Sequence, residues 1–143
     1  MKKVIIIASA VIAVLYSVYL TICTVYTLVE ALRYGLYEYH ALDRGPAGNF
    51  ATSIIMELLI LFVSILVLFK VRPPKLLRIL IVIFAVIIVL LSILTAGIYT
   101  FVVIKGSTYR TINAEYIVFI LGQSAVIITL LTYIRRALKP AKK

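Results

Sequence analysis

The chain has 143 residues, of which 64% are hydrophobic and 14% are charged, and its formal net charge is +10. A typical soluble domain is about 45–50% apolar and about 25% charged, and a soluble fold of this length leaves too much of its chain at the surface to hide such an apolar sequence. The single cysteine, Cys23, excludes an intrachain disulfide and a cluster of cysteine ligands. Because the basic residues flank apolar runs, we expect them to meet anionic membrane lipids rather than nucleic acid.

Four long apolar runs predict an all-α fold, an integral membrane four-helix bundle that forms a single transmembrane domain over residues 1–143. About 20 apolar residues cross the hydrocarbon core of a bilayer as a helix. In chain order, the predicted spans are 4–29, 50–71, 75–104 and 114–136, followed by a basic tail over 137–143.

The connections between these spans are short and differ in character. The helical pattern of the first span continues to about residue 42, where a Gly- and Pro-containing turn over 43–48 ends it. Asn49 is a suitable N-cap for the second span, and Pro73 and Pro74 form a tight turn before the third. The third span would be about 45 Å long as a straight helix, longer than a hydrocarbon core of about 30 Å. We therefore expect a small extracellular cap made by the extended helices 1 and 3.

The distribution of basic residues predicts the orientation. The two termini and the connection after the second span hold eleven Lys and Arg residues, whereas the other side holds four: Arg33, Arg44, Lys105 and Arg110. Lys and Arg concentrate in cytoplasmic loops of membrane proteins. We therefore predict a multi-pass plasma-membrane protein with its N-terminus and C-terminus in the cytoplasm.

A polar stripe runs along the first span. Ser9, Tyr16, Cys23 and Glu30 are spaced by seven, as are Tyr19, Tyr26 and Arg33, and the small residues Ser9, Ala13, Ser17 and Thr21 recur every four. Small side chains allow close approach of membrane helices, and hydroxyl groups bond across the gap. A helix-packing face is the favoured interpretation; one wall of a pathway or ligand pocket is the alternative.

Glu57 is the acidic residue placed deepest in a predicted span, about 10 Å from the outer end of its helix by rise per residue. An ionisable group at such a depth marks a candidate functional site. The expected partners are Arg33, Lys105, Arg110, Tyr26 or Tyr99, either in a structural pair or at an ion or substrate site. Gln123, in the most polar part of the fourth span, is grouped with Glu57, Tyr19, Tyr26 and Glu30 as a possible ion or partner site.

A second candidate surface lies beyond the first span. It combines a cation with tyrosines and the chain's single histidine: Arg33, Tyr34, Tyr37, Tyr39 and His40. Tyrosine favours headgroup level in membranes and is also frequent at protein contacts. The crowding here indicates an external partner or self-association. A haem or copper site usually needs two or more strong ligands, and the chain has one histidine. The sequence therefore predicts no cofactor and no metal site.

No catalytic motif is present, and the predicted cytoplasmic loops are too short to build a soluble active site. The sequence therefore favours a non-catalytic membrane subunit or scaffold that packs with other membrane subunits in a larger assembly, such as a respiratory-type complex or a virion envelope. The alternative is a small oligomeric transporter or channel that uses Glu57. Scarcity of Asn, Gln, Cys and Met also favours a thermophilic, archaeal source.

Overall fold

A computed structural model describes residues 2–34, 46–105 and 114–139, and these residues form four α-helices. The helices are α1 (Lys2–Tyr34), α2 (Pro46–Phe69), α3 (Lys75–Lys105) and α4 (Ala114–Leu138). Each one is long and apolar enough to cross a membrane. The prediction of an all-helical four-helix bundle is therefore confirmed, and the four apolar helices are compatible with a multi-pass membrane protein.

The start of α2 differs from the expectation. The helix begins at Pro46 and already includes Asn49, so the prediction that Asn49 is the N-cap is wrong. Proline fits the first position of a helix because its fixed φ matches the helix and its missing N–H would have no partner there. The extension of α1 reaches Tyr34, and the predicted continuation to about residue 42 lies outside the described residues.

The end of α2 is a tight turn. Lys70 has a positive φ of 55°, and the backbone N–H of Val71 donates to the carbonyl oxygen of Leu66 at 3.2 Å. This is the Schellman arrangement, in which a left-handed residue follows the helix and the next N–H closes a bond back to the last turn. Pro73 and Pro74 follow, and the N–H of Arg78 donates to the Pro74 carbonyl at 2.9 Å as α3 begins.

The helices run alternately up and down. α1 packs along α2 and α4, α3 packs mainly against α4, and α2 also contacts α4, whereas α2 and α3 touch only slightly although a short turn joins them. The shared core consists of small and branched side chains, among them Ala10, Ala13, Val63, Ala85, Val126 and Leu130. The weak contact between α2 and α3 leaves room for cavities on that side of the bundle.

Most of the apolar surface of the helices faces outward. In the most apolar stretch of each helix only 28–33% of the residues are buried, and the exposed ones are largely Leu, Ile, Val and Phe. Soluble monomers rarely expose apolar patches larger than a few hundred Å², so this surface suits hydrocarbon. At 33 and 31 residues, α1 and α3 are about 50 Å and 46 Å long, which exceeds a core of about 30 Å.

The charged residues separate along the bundle axis. The basic end is defined by the start of α1, the turn between α2 and α3, and the end of α4, and its cations are Lys2, Lys3, Lys70, Arg72, Lys75, Arg78, Arg135, Arg136 and Lys139. Among the described residues, Glu30 and Glu115 lie at the opposite end and Glu57 lies near the middle of α2. The loops of the predicted external cap, 35–45 and 106–113, lie outside the described residues.

Candidate functional site

Small residues bring α1 close to its neighbours. Ala10, Ala13 and Ser17 are fully buried, which is how small side chains act where membrane helices pack. The hydroxyl groups of this layer are satisfied within their own helices: Ser17 Oγ donates to the Val14 carbonyl and Ser64 Oγ to the Ile60 carbonyl. Packing contact, rather than hydrogen bonding between these serines, therefore joins the helices here.

Glu57 is buried between α1 and α2. Its side chain is only 7% exposed, and its Oε1 accepts a hydrogen bond of 2.8 Å from Thr24 Oγ1. Its Oε2 is buried without a hydrogen-bond partner. A buried polar atom without a partner costs free energy, so one oxygen of this carboxyl group is available to a further donor.

The partners expected for Glu57 are engaged elsewhere. Tyr26 donates to Glu30 Oε1 at 2.8 Å, the Lys105 Nζ lies 4.8 Å from the centre of the Phe101 ring, and Tyr99 stacks on Tyr116. Arg33 is exposed, and Arg110 lies outside the described residues. Among the described candidates the prediction of a cationic or tyrosine partner is wrong, because the carboxyl group instead bonds to Thr24, two residues before Tyr26 on α1.

Tyr16 and Gln123 join α1 to α4 beside Glu57. Gln123 Nε2 donates to the Tyr16 hydroxyl at 3.3 Å, and the Tyr16 ring lies directly on Gly122, where a Cβ would overlap it. The Gln123 Oε1 is buried without a hydrogen-bond partner. Glycine at 122 is therefore what allows the tyrosine ring to insert between the two helices.

These groups line a partly open cavity between the helices. Its volume is about 180 Å³ and all four helices contribute to it. Its polar lining residues are Tyr16, Ser53, Glu57, Ser92, Thr95 and Gln123. Glu57 and Gln123, each with one buried acceptor oxygen that has no partner, are thus both lining residues of one cavity, a combination that suits a hydrogen-bond donor or a small cation.

The other predicted site residues of α1 face away from this cavity. Tyr19 is 55% exposed and Tyr26 is 63% exposed, and Glu30 is exposed beside Tyr26. The polar residues that recur every seven positions along α1 therefore do not all lie on one face. Ser9 and Tyr16 turn inward, whereas Cys23 and Glu30 turn outward, because an α-helix drifts by about 20° in every seven residues.

Thr24 and Arg136 are the residues that sequence reasoning missed. Thr24 follows Ala10 and Ser17 at spacings of seven, and this inward-facing series could have indicated it. Arg136 Nη1 donates to the Val67 carbonyl at 3.0 Å, where its charge suits the negative end of α2. No sequence pattern marks that contact, because it joins residues of two separate helices.

The structure describes only a small part of the predicted external surface. Tyr37, Tyr39 and His40 lie outside the described residues, the side chain of Tyr34 is likewise not described, and Arg33 is exposed. Within the described ranges, no group of three His, Cys, Asp or Glu side chains could hold a metal ion.

Comparison with known protein families, with curated proteins and with solved structures finds no match for this chain. Within the described residues, the fold and site thus define a class in structural terms: a bundle of four apolar, membrane-length helices in which the buried Glu57 lines a cavity between the helices.

Proposed function

We propose that this chain is a non-catalytic membrane subunit or scaffold that packs against other membrane chains in a larger assembly. A respiratory-type complex or a virion envelope fits such a role. In this proposal the protein lies in a plasma membrane with both termini in the cytoplasm, because its basic end has the charge typical of cytoplasmic loops.

The observation that carries the proposal is the outward polar stripe of α1. Tyr19, Tyr26 and Glu30 are exposed on the outside of the bundle, and the side chains of Tyr19 and Tyr26 are each more than half exposed. By rise per residue, Tyr19 lies about 16 Å from Glu30 along the helix, too far for both to lie at headgroup level. Polar groups at membrane depth generally face protein or water, so a helix of another chain is the natural neighbour.

The test is purification from the native membrane in mild detergent, followed by identification of the proteins that co-migrate. We expect a defined membrane partner, which is lost when Tyr26→Phe and Glu30→Gln are combined. Glu115→Gln, which removes an exposed acidic group at the same end from α4, is the matched control and should retain the partner. A chain that migrates alone in its native detergent extract would contradict the proposal.

The cavity at Glu57 favours a second candidate function, a small oligomeric transporter or channel. The supporting observation is that Glu57 and Gln123, which line one cavity, each carry a buried acceptor oxygen without a partner. In proteoliposomes a transporter should lose cation- or proton-coupled flux with Glu57→Gln and keep it with Glu115→Gln. Flux at background level in the unsubstituted protein would exclude this candidate and leave the subunit role.

A further inference from the structure

We propose that the basic end of the bundle holds a specific site for the phosphate group of an anionic lipid, between α2, α3 and α4. The site lies in a part of the molecule that contains neither the Glu57 cavity nor the exposed residues Tyr19, Tyr26 and Glu30 of α1.

The site is a cavity of about 280 Å³ beneath the turn that joins α2 to α3. Its volume is several times the roughly 30 Å³ that a water molecule occupies in the liquid. The polar side chains that line it are four cations and one phenol: Lys70, Arg72, Arg78, Tyr133 and Arg136. The charge of the lining is thus of one sign.

Nothing in the described part of the chain neutralises this charge. The nearest acidic residue along α2 is Glu57, thirteen residues before Lys70, which corresponds to about 20 Å along the helix. Glu30 and Glu115 belong to the opposite end. Four like charges around one cavity repel each other, and an anion placed among them relieves that repulsion.

Tyr133 is an independent indication that this cavity binds a ligand. The residue is only 5% exposed, and its hydroxyl oxygen is buried without any hydrogen-bond partner. A buried hydroxyl group normally finds a partner, and Tyr133 is one of the residues that line the cationic cavity. A phosphate oxygen would accept its proton and complete the set of donors.

Arg136 is already held in place for such a role. One nitrogen of its guanidinium group, Nη1, donates to the Val67 carbonyl at 3.0 Å, which fixes the side chain at the wall of the cavity. Guanidinium carries five N–H donors, so the remaining ones stay available. Arginine groups of this kind bind phosphate oxygens through short, charge-assisted hydrogen bonds.

A neighbouring cavity identifies the source of the phosphate as a lipid. It has a volume of about 240 Å³ and shares Val67, Lys70 and Arg136 with the first. The rest of its lining is apolar except for Lys3, and comprises Ile6, Ile7 and Leu68. A lipid would occupy both cavities, with its phosphate group in the basic cavity and an acyl chain along the apolar wall of the neighbouring one. Basic pockets between membrane helices are known to bind anionic headgroups.

The experiment is native mass spectrometry of the full chain in mild detergent, titrated separately with phosphatidylglycerol, phosphatidylcholine and inorganic phosphate. We expect phosphatidylglycerol to be retained most strongly. Arg78→Gln should weaken its binding by about tenfold or more, because it removes a charge-assisted hydrogen bond to the phosphate group. Tyr133→Phe, which keeps every charge, should weaken it several-fold.

Arg135→Gln is the matched control. It also replaces one arginine by glutamine, but Arg135 is exposed on α4, next to Arg136, and does not line the cavity. Equal loss with Arg135→Gln and Arg78→Gln would mean a diffuse charge effect and would overturn the site. Retention of phosphatidylglycerol unchanged by Tyr133→Phe would also overturn it. Inorganic phosphate binding as tightly as the lipid would overturn the lipid assignment. Should Arg78→Gln fail to fold, Tyr133→Phe alone decides.

Discussion

At the level of single residues, Gly122 is a position where one added carbon would overlap a neighbouring side chain. The Tyr16 ring occupies the place where a Cβ would lie, and Tyr16 is only 7% exposed. Gly97, in contrast, has no atom within 4 Å of its ideal Cβ position. Packing against Tyr16 therefore requires a glycine at position 122, whereas no contact with the described residues requires one at position 97.

We expect Gly122→Ala to destabilise the bundle by about 1–3 kcal/mol, the usual cost of overpacking a core. Gly97→Ala should instead be neutral or stabilise α3 by up to about 1 kcal/mol, because alanine is the better helix former. Unfolding of both variants in mixed detergent micelles, followed by helical circular dichroism, checks the pair. Equal stability of the two variants would show that Tyr16 does not insert against Gly122.

At the level of helices, the bond from Thr24 to Glu57 is the polar link between α1 and α2. We expect Thr24→Val to destabilise the pair, because it leaves Glu57 Oε1 buried without a partner beside an already unpartnered Oε2. A buried polar group left without a partner typically lowers the free energy of unfolding by about 1–3 kcal/mol. An average hydrogen bond between membrane helices contributes less, about 0.6 kcal/mol.

Thr27→Val is the matched control for this link. Thr27 is exposed on the same helix, and its hydroxyl donates to the Cys23 carbonyl of its own helix. The same change of side chain there should leave the free energy of unfolding nearly unaltered. Equal effects of Thr24→Val and Thr27→Val, measured in the same micelles, would argue that Glu57 gains nothing from α1.

For the whole molecule, the separation of charge along the axis predicts the orientation in a membrane. Nine cations lie at the basic end among the described residues, and cytoplasmic loops carry the excess of Lys and Arg. We expect a reporter fused to the C-terminus to be active in the cytoplasm only, and one inserted in the 35–45 connection to be active outside only. A C-terminal reporter that is active on the exterior would contradict this orientation and would place both proposed sites at the opposite side of the membrane.

The amino-acid sequence alone predicted the number of helices, their order and the all-helical class. The physical reason is that an isolated apolar helix satisfies its backbone hydrogen bonds within itself, so the length and polarity of each run specify it without reference to its neighbours. The same argument predicted where α3 lies, since Pro73 and Pro74 interrupt the chain locally. It misplaced the start of α2, because Asn49 and Pro46 are both acceptable helix starts.

Which polar groups meet was decided by how the helices pack. Tyr19, Tyr26 and Glu30 share a sequence pattern with Tyr16, yet they lie on the outside, while Thr24 and not a tyrosine or a cation reaches Glu57. The basic cavity around Tyr133 likewise joins residues of three helices. Helical periodicity sets which residues share a face, but the rotation of each helix depends on the fit of small residues such as Ala13 and Gly122 against side chains far away in the sequence.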